Sequence, residues 1–325
     1  MASLADISRR AGVSIATASR VLNGSSHPVS EAMRSRVLQA AEELGYRPSE
    51  LARALVKRTS RIIGVIVGDI VDPYFAEIAR GVEEVAARSG HLTMVCNADR
   101  NPAAELAHLS VLRDYHAAGV VFAGSGYQEE PREIAAAVQD LQARGCAVVA
   151  LAARELAVPH VLVDNRAAAR DATEHLLGLG HRRIAFVEGP AGLHTSALRL
   201  EGFEGAMAAA GAEPVRVAGG FEYEAGAAAA ERLLGVEAVL AVNDEVAIGL
   251  VTELRRRGVD VPGEISVAGI DDTRVARLVD LTSVSLPLQE LGERAARVIL
   301  DGEDGDAVLG HELVVRGTTR ARTAP

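Results

Sequence analysis

Two hydrophobic rhythms divide the chain near residue 60. Before that point, apolar positions recur at helical spacing in short stretches; beyond it, Val/Ile/Ala runs alternate with amphipathic segments. Leu4, Ile7, Ser8 and Ala11 share one face of a first helix, with Asp6 in the opening turn, where a carboxylate suits the positive helix end. Gly12 supplies the permissive backbone of a tight turn, and Val13 plugs the angle between two helices. Ser14 caps a second helix, Ile15 to Leu22, which Asn23-Gly24 closes. Ser30 caps a third, Glu31 to Leu44, whose stripe Val37, Leu38, Ala41 and Leu44 closes a three-helix core before Gly45 ends it. Tyr46-Arg47-Pro48 then makes an extended exit, because the residue before proline disfavours helix.

Ser49 to Leu55 has helical character but spans barely two turns, and so short a helix does not hold alone in water. Leu51 and Leu55, one turn apart, form an apolar wedge flanked by Arg53, Lys57 and Arg58. Such a helix fits minor-groove insertion, where an apolar residue pries a base step open; a linker helix packed on the next domain is the competing reading. The two helices around Gly12 have the form of a helix–turn–helix. The second exposes Ile15, Ala16, Ser19 and Arg20 near its N-terminal half, the part a recognition helix presents to the major groove. An ordinary helical hairpin is the plain alternative.

Three stretches stand in order: Ala11-Gly-Val-Ser-Ile-Ala-Thr-Ala-Ser-Arg-Val-Leu-Asn-Gly24, Leu44-Gly-Tyr-Arg-Pro48 and Leu51-Ala-Arg-Ala-Leu55. Through them, residues 4–60 resemble the DNA-binding headpiece and hinge of the lactose-repressor (LacI/GalR) family of bacterial transcription regulators. The resemblance implies Ile15, Ala16 and Arg20 at base edges, with Ser14, Thr17, Ser19 and Asn23 near phosphates. It also implies Leu51 and Ala52 in a DNA-contacting hinge helix, with Leu55 pushed between the central base pairs. Ile15-Ala16 offers no amide or hydroxyl, so direct reading there is apolar contact, as with thymine methyls. Arg20 is left as the hydrogen-bonding reader, of guanine.

From Arg61 onward strand and helix alternate. Strand runs are Ile62–Val67, His91–Cys96, Gly119–Ala123, Ala147–Leu151, Val161–Val163, Ile184–Val187, Val215–Val217, Ala238–Val242 and Ile265–Ile270, with a last one at Leu313–Arg316. Continuous apolar strands between amphipathic helices mean parallel sheets covered on both faces, and there are too many for one sheet. The expected fold class is α/β, in three parts. A small all-α helix–turn–helix headpiece (1–47) is followed by a hinge helix and linker (48–60). A two-lobed, doubly wound parallel-sheet core (61–325) then serves effector binding and dimerisation, with ligand held at strand C-terminal ends.

Ile63–Val67, Asp72–Phe75, Val163–Asn165, Leu179–Phe186, Arg199–Phe203, Val242–Asp244 and Ser266–Asp272 extend the resemblance to the family's periplasmic-binding-protein-like core. It implies an N-terminal lobe over roughly 61–160, a C-terminal lobe over 161–285, and a helix after Pro287 crossing back. Tyr74 and Phe75 follow a strand end, where their rings could stack on a sugar or base or simply fill the core. Arg199, with Thr195 one turn earlier, offers a guanidinium fork, or else a surface ion pair. Asp271 could accept ligand protons or cap a helix. Phe221 and Asn243 join the effector set by the resemblance alone. Where many relatives carry Asp or Asp-Arg this chain has Ala152-Ala153, and where many carry Gln before Pro287 it has Leu286. Both departures remove polar ligand contacts.

Charge sharpens the picture. The net charge of −10 alone argues against nucleic acid, yet residues 1–60 hold nine Lys/Arg against five acids, leaving an acidic body behind a basic headpiece. Cys96 and Cys146 lie in apolar runs without metal-ligand spacing and read as buried hydrophobes in a reducing compartment. No paired-histidine motif, nucleophile elbow, Walker loop or dinucleotide fingerprint occurs, so no catalytic residue, metal or cofactor is expected. The adjacent acids Glu83-Glu84, Glu129-Glu130 and Asp271-Asp272 read as mostly solvated. No membrane span or export signal is legible. The expectation is a cytoplasmic, sequence-specific, ligand-responsive transcription regulator. It would act as a repressor on a palindromic double-stranded DNA operator, as a homodimer, with a sugar or other small polar metabolite as effector. A dimer rather than a tail-assembled tetramer fits a chain end without heptads. A solute-binding protein would carry an export signal ahead of Arg61, and a sugar- or nucleotide-processing enzyme would need a catalytic carboxylate or metal cluster.

Overall fold

A computed structural model of the chain describes residues 2–22, 28–46 and 59–322. Asn23, Leu51, Ala52 and Leu55, expected at DNA, lie outside the described residues. The chain divides into two compact units, Met1–Ser60 and Arg61–Pro325.

In the first unit, α1 (Leu4–Ala11), α2 (Ile15–Leu22) and α3 (Glu31–Glu43) surround a small core. Ser3 and Asp6 cap α1 reciprocally: Ser3 Oγ accepts from Asp6 N at 3.3 Å and Asp6 Oδ2 accepts from Ser3 N at 2.9 Å. Gly12 then turns the chain at φ 64°, left-handed backbone that costs glycine least. Ser14 Oγ accepts from Thr17 N at 3.1 Å and Ser30 caps α3 as expected. The core gathers Ile7, Ala11, Ala18, Val21, Val37, Ala40 and Ala41, with Val13 packed against it. Leu38 and Leu44 are exposed rather than buried, correcting the expected stripe. Two short helices cover only a narrow strip of α3, running through positions 37, 40 and 41. Leu38 lies about 100° around from Val37, and Leu44 sits past the last turn as the C-cap.

The second unit has two lobes. The first holds a parallel sheet of order β2-β1-β3-β4, from β1 (Ile62–Val67), β2 (Leu92–Asn97), β3 (Gly119–Phe122) and β4 (Ala147–Ala150). Helices α4 (Pro73–Arg88), α5 (Pro102–Asp114) and α6 (Arg132–Ala143) connect these strands. A short β5 (Val161–Val163) leads into the second lobe, where α7 (Asn165–Gly178) packs on α8 (His194–Ala209). Its strands are β6 (Ile184–Val187), β7 (Val215–Val217), β8 (Ala238–Ala241), β9 (Ser266–Asp271) and β10 (Thr282–Ser285). Between them run α9 (Tyr223–Ala229), a 3₁₀ turn (Ala230–Leu233), α10 (Asp244–Arg256) and α11 (Arg274–Leu278).

The chain then crosses back. Helix α12 (Leu288–Asp301) packs against α4 of the first lobe, β11 (Ala307–Leu309) pairs with β5, and β12 (Glu312–Val314) returns to the second lobe. The second sheet thus has order β12-β10-β9-β8-β6-β7, parallel except for β12 against β10. Three strand–helix passages therefore join the lobes. At the α4–α12 contact a Cβ on Gly81 would collide with the Gln289 carbonyl, and one on Gly292 with that of Ile78. Two glycines let these backbones touch. Among the described residues no helix is long and apolar enough to cross a membrane.

Candidate functional site

All seven residues expected at the effector line one cavity between the lobes. Each comes from the C-terminal end of a strand or the helix that follows it, where doubly wound sheets leave a crevice. After β1, Asp72 caps α4 by accepting from Tyr74 N at 3.0 Å, which sets Tyr74 and Phe75 in the first helical turn. Their rings meet edge to face at 5.0 Å. Phe75 is buried in the core and also lines the cavity. From the second lobe come Thr195 and Arg199 on α8, Phe221 after β7, Asn243 after β8 and Asp271 ending β9.

Arg199 is no surface ion pair: it is 2% exposed. Its Nε donates to Asn165 Oδ1 at 2.8 Å, Nη1 to the Val242 carbonyl at 2.5 Å, and Nη2 to Asp271 Oδ1 at 2.9 Å. Asn243 is committed as well, capping α10 through Val246 N and donating to the Phe221 carbonyl at 2.9 Å. Asp271 does not cap a helix, since Thr273 caps α11. It holds φ 125°, backbone that residues other than glycine seldom adopt. The strand end is fixed by neighbours: Leu286 N reaches the Asp271 carbonyl at 3.3 Å, Asp272 N reaches Ser283 Oγ at 3.1 Å, and Thr273 N reaches Asp244 Oδ2 at 2.7 Å. Burial pushes the Asp271 carboxyl up to about 7 against the pull of Arg199, and that of Asp72 up to about 6. Asp244, wholly buried beneath them, is held well above the usual carboxylate range by burial and then by Asp271.

Several cavity residues were not foreseen, among them Arg100, Glu105, Ser125 and Tyr127. Arg100 follows β2, lies 5.1 Å over the Phe221 ring and bonds Glu222 at 3.0 Å, so it bridges the lobes. Glu105, on α5, is tied to Arg154, whose Nη2 donates to Glu105 Oε2 at 2.7 Å and whose Nε donates to Glu130 Oε2 at 3.2 Å. The Arg154 guanidinium sits 4.2 Å over the Phe122 ring and is fully buried. Glu130, Asp271 and Asp272 are thus buried and paired, not solvated; Glu83-Glu84 does lie on an outer helix face. Acids separated by many residues from their arginine give no local signal. Ala152 lines the cavity, and Leu286 is buried without offering a polar side chain. Cys96 and Cys146 are buried and free, and burial pushes the Cys146 thiol up to about 12.

On the headpiece, α2 turns Ala18 and Val21 inward and leaves Ser14, Ile15, Ala16 and Arg20 exposed, with Thr17 and Ser19 half-buried. Ile15, a large apolar side chain at the helix start, is 53% exposed among the described residues. The Ser14 and Thr17 hydroxyls lie 2.9 Å apart beside the first-turn N–H groups. That end of the helix suits a phosphate.

A helix–turn–helix unit joined to a bilobal core with a cleft between its lobes defines the class of DNA-binding regulators with a small-molecule pocket. Residues 3–49 match the bacterial regulatory proteins of the lacI family, and residues 173–322 match the periplasmic binding protein-like domain. The chain is 33% identical to catabolite control protein A of Priestia megaterium over 334 residues, covering 97% of this chain and 98% of that protein. It is 34% identical to the HTH-type transcriptional repressor CytR of Escherichia coli (strain K12) over 340 residues, covering 98% and 97%. The solved lac repressor dimer bound to operator and the anti-inducer ONPF shares the fold with a TM-score of 0.82 at 25% identity, covering 98% of this chain and 99% of that one. The chain belongs to the LacI family of bacterial transcription regulators. It is a DNA-binding regulator, not an enzyme.

Proposed function

We propose that this regulator is a cytoplasmic repressor that binds a palindromic operator as a homodimer. A sugar or another small polar metabolite, held between the lobes, sets its affinity for DNA. One observation carries the reading: residues from both lobes, Tyr74 and Phe75 on one side and Thr195, Arg199, Phe221, Asn243 and Asp271 on the other, line a single cavity. A ligand touching both walls binds the closed arrangement more tightly than an open one, and only such a difference moves an equilibrium. The bonds that closure makes are few. Gln128 N reaches the Gly192 carbonyl at 2.8 Å, His194 N the Gly126 carbonyl at 3.0 Å, Thr195 N Ser125 Oγ at 3.1 Å, Arg274 N Glu77 Oε1 at 3.1 Å, and Arg100 Nη1 donates to Glu222 Oε1 at 3.0 Å. At about 1 kcal/mol each, they leave the balance within reach of a ligand's binding energy.

At DNA, Ile15, Ala16 and Arg20 read base edges while Ser14, Thr17, Ser19 and Asn23 hold phosphates. The hinge residues Leu51, Ala52 and Leu55 fold into the minor groove between two headpieces. The lac repressor, solved as a dimer on its operator, supports the two-fold arrangement. The test is a mobility-shift titration of full-length protein on an inverted-repeat duplex selected from random sequence. Retention of the inverted repeat over scrambled duplex, altered by a cleft ligand, supports the reading; equal retention of both duplexes refutes it.

A further inference from the structure

The cleft's positive charges are already answered. Arg199 faces Asp271 at 2.9 Å and spends two more donors on Asn165 and the Val242 carbonyl. Arg100 stands 3.0 Å from Glu222 and 3.8 Å from both Asp69 and Asp72. Behind the first-lobe wall, Arg154 is shared between Glu105 at 2.7 Å and Glu130 at 3.2 Å. Three guanidiniums therefore meet six carboxylates, and three of those acids, Asp72, Glu105 and Asp271, line the cavity. Apart from Arg100 and Arg199, the rest of the lining is aromatic, aliphatic or glycine, with the Ser125 and Thr195 hydroxyls and the Asn243 amide between. Glu105 is the unusual member. It comes from the middle of the first turn of α5, only 5% exposed, and is locked by Arg154 and by the Tyr127 hydroxyl, which donates to it. Arg154 itself cannot swing toward a ligand, because it is clamped over the Phe122 ring at 4.2 Å and fully buried.

We infer that the cleft takes a ligand that donates hydrogen bonds and carries no negative charge, and that Glu105 is a residue setting this selectivity. The inference rests on the effector reading of the cleft given above. A phosphorylated or carboxylated ligand would meet three lining carboxyl groups, and both lining arginines, Arg100 and Arg199, already face acids, whereas hydroxyl or ammonium hydrogens find acceptors there. Uncharged sugars, nucleosides and amino sugars fit this description; their phosphates and uronic acids do not.

The test is thermal shift followed by calorimetry on the full-length protein with matched probes. These are D-ribose and D-ribose 5-phosphate, cytidine and its 5′-monophosphate, and D-glucose with D-glucosamine, D-glucose 6-phosphate and D-glucuronate. The expected result is that at least one uncharged or cationic probe binds and its anionic counterpart binds at least about tenfold more weakly. In Glu105→Gln, which keeps an acceptor for Arg154 but removes a charge, that ratio shrinks while the melting temperature stays near that of the parent. An anionic probe binding as tightly as its uncharged partner overturns the charge inference and leaves the cleft as an effector site. Failure of every probe to bind overturns both readings. An unchanged ratio in a folded Glu105→Gln protein removes Glu105 from the role.

Discussion

Replacing Arg199 by Met removes the guanidinium that joins α7, β8 and β9 while keeping most of the aliphatic bulk. Three acceptors then lose their donor together: Asn165 Oδ1, the Val242 carbonyl and Asp271 Oδ1. Arg199 and Asp271 are both almost fully buried, at 2% and 4% exposed, so water does not make good the loss. At a pH above the Asp271 value of about 7, breaking this buried pair from one side costs about 3–5 kcal/mol, since the remaining carboxylate is left uncompensated or has to take up a proton. At roughly 2–4 °C per kcal/mol for a unit of this size, the midpoint of thermal unfolding falls by about 6–20 °C. Adding Asp271→Asn withdraws the stranded charge, so Arg199→Met/Asp271→Asn is more stable than the two single losses sum to, by about 1–3 kcal/mol of coupling. Circular dichroism melts of the four proteins at one pH measure it. A single variant melting within about 2 °C of the parent, or strict additivity in the double, would show that Arg199 is not the clasp described here.

Four further outcomes follow from the same geometry. Burial raises the Asp72 carboxyl from its ordinary value to about 6. Between those values the folded state binds more protons than the unfolded, so this group's contribution to stability falls as pH rises toward 6 and stays lost above it. The melting temperature of Asp72→Asn relative to the parent should therefore climb between pH 5 and 7.5, and a flat difference contradicts the burial argument. Gly81→Ala places a Cβ against the Gln289 carbonyl and should cost about 1–3 kcal/mol by forcing α4 from α12. Gly205→Ala, exposed on α8 with open space around it, should instead gain about 0.5–1 kcal/mol; equal effects in urea melts would show that the α4–α12 contact is loose. Arg20→Ala should lose roughly 1–3 kcal/mol of operator binding and relax one base position, so a selection returning the parent's preference rules it out as a reader. Leu55→Ala should weaken operator binding far more than random-duplex binding, since a wedge works only where the step kinks; equal loss on both refutes the wedge.

The strands that were readable in advance are those whose burial is written in side-chain type, such as Ile62–Val67 and Ala238–Ala241. Strand β10 escaped because Thr282-Ser-Val-Ser285 looks like a loop. The hydroxyls of Thr282 and Ser283 are nonetheless buried and satisfied: Thr282 Oγ1 donates to the Arg316 carbonyl at 3.1 Å and Ser283 Oγ to Asp244 Oδ1 at 2.5 Å. Both acceptors lie far away in sequence, so nothing local announced them. Tyr74, Phe75 and Arg199 could be found from their places near strand ends. Glu105, Glu130 and Arg154 could not, because charged residues read as surface until the partner 49 or 24 positions away is brought alongside.

The central claim is that cleft and operator are coupled, and coupling between two equilibria must be reciprocal. Calorimetry of full-length protein gives the affinity of a bound probe with and without saturating operator, and operator affinity with and without saturating probe. The same factor is expected both ways, about 5- to 150-fold as is usual for such linkage. A probe that fills the cleft yet leaves operator affinity unchanged would contradict it.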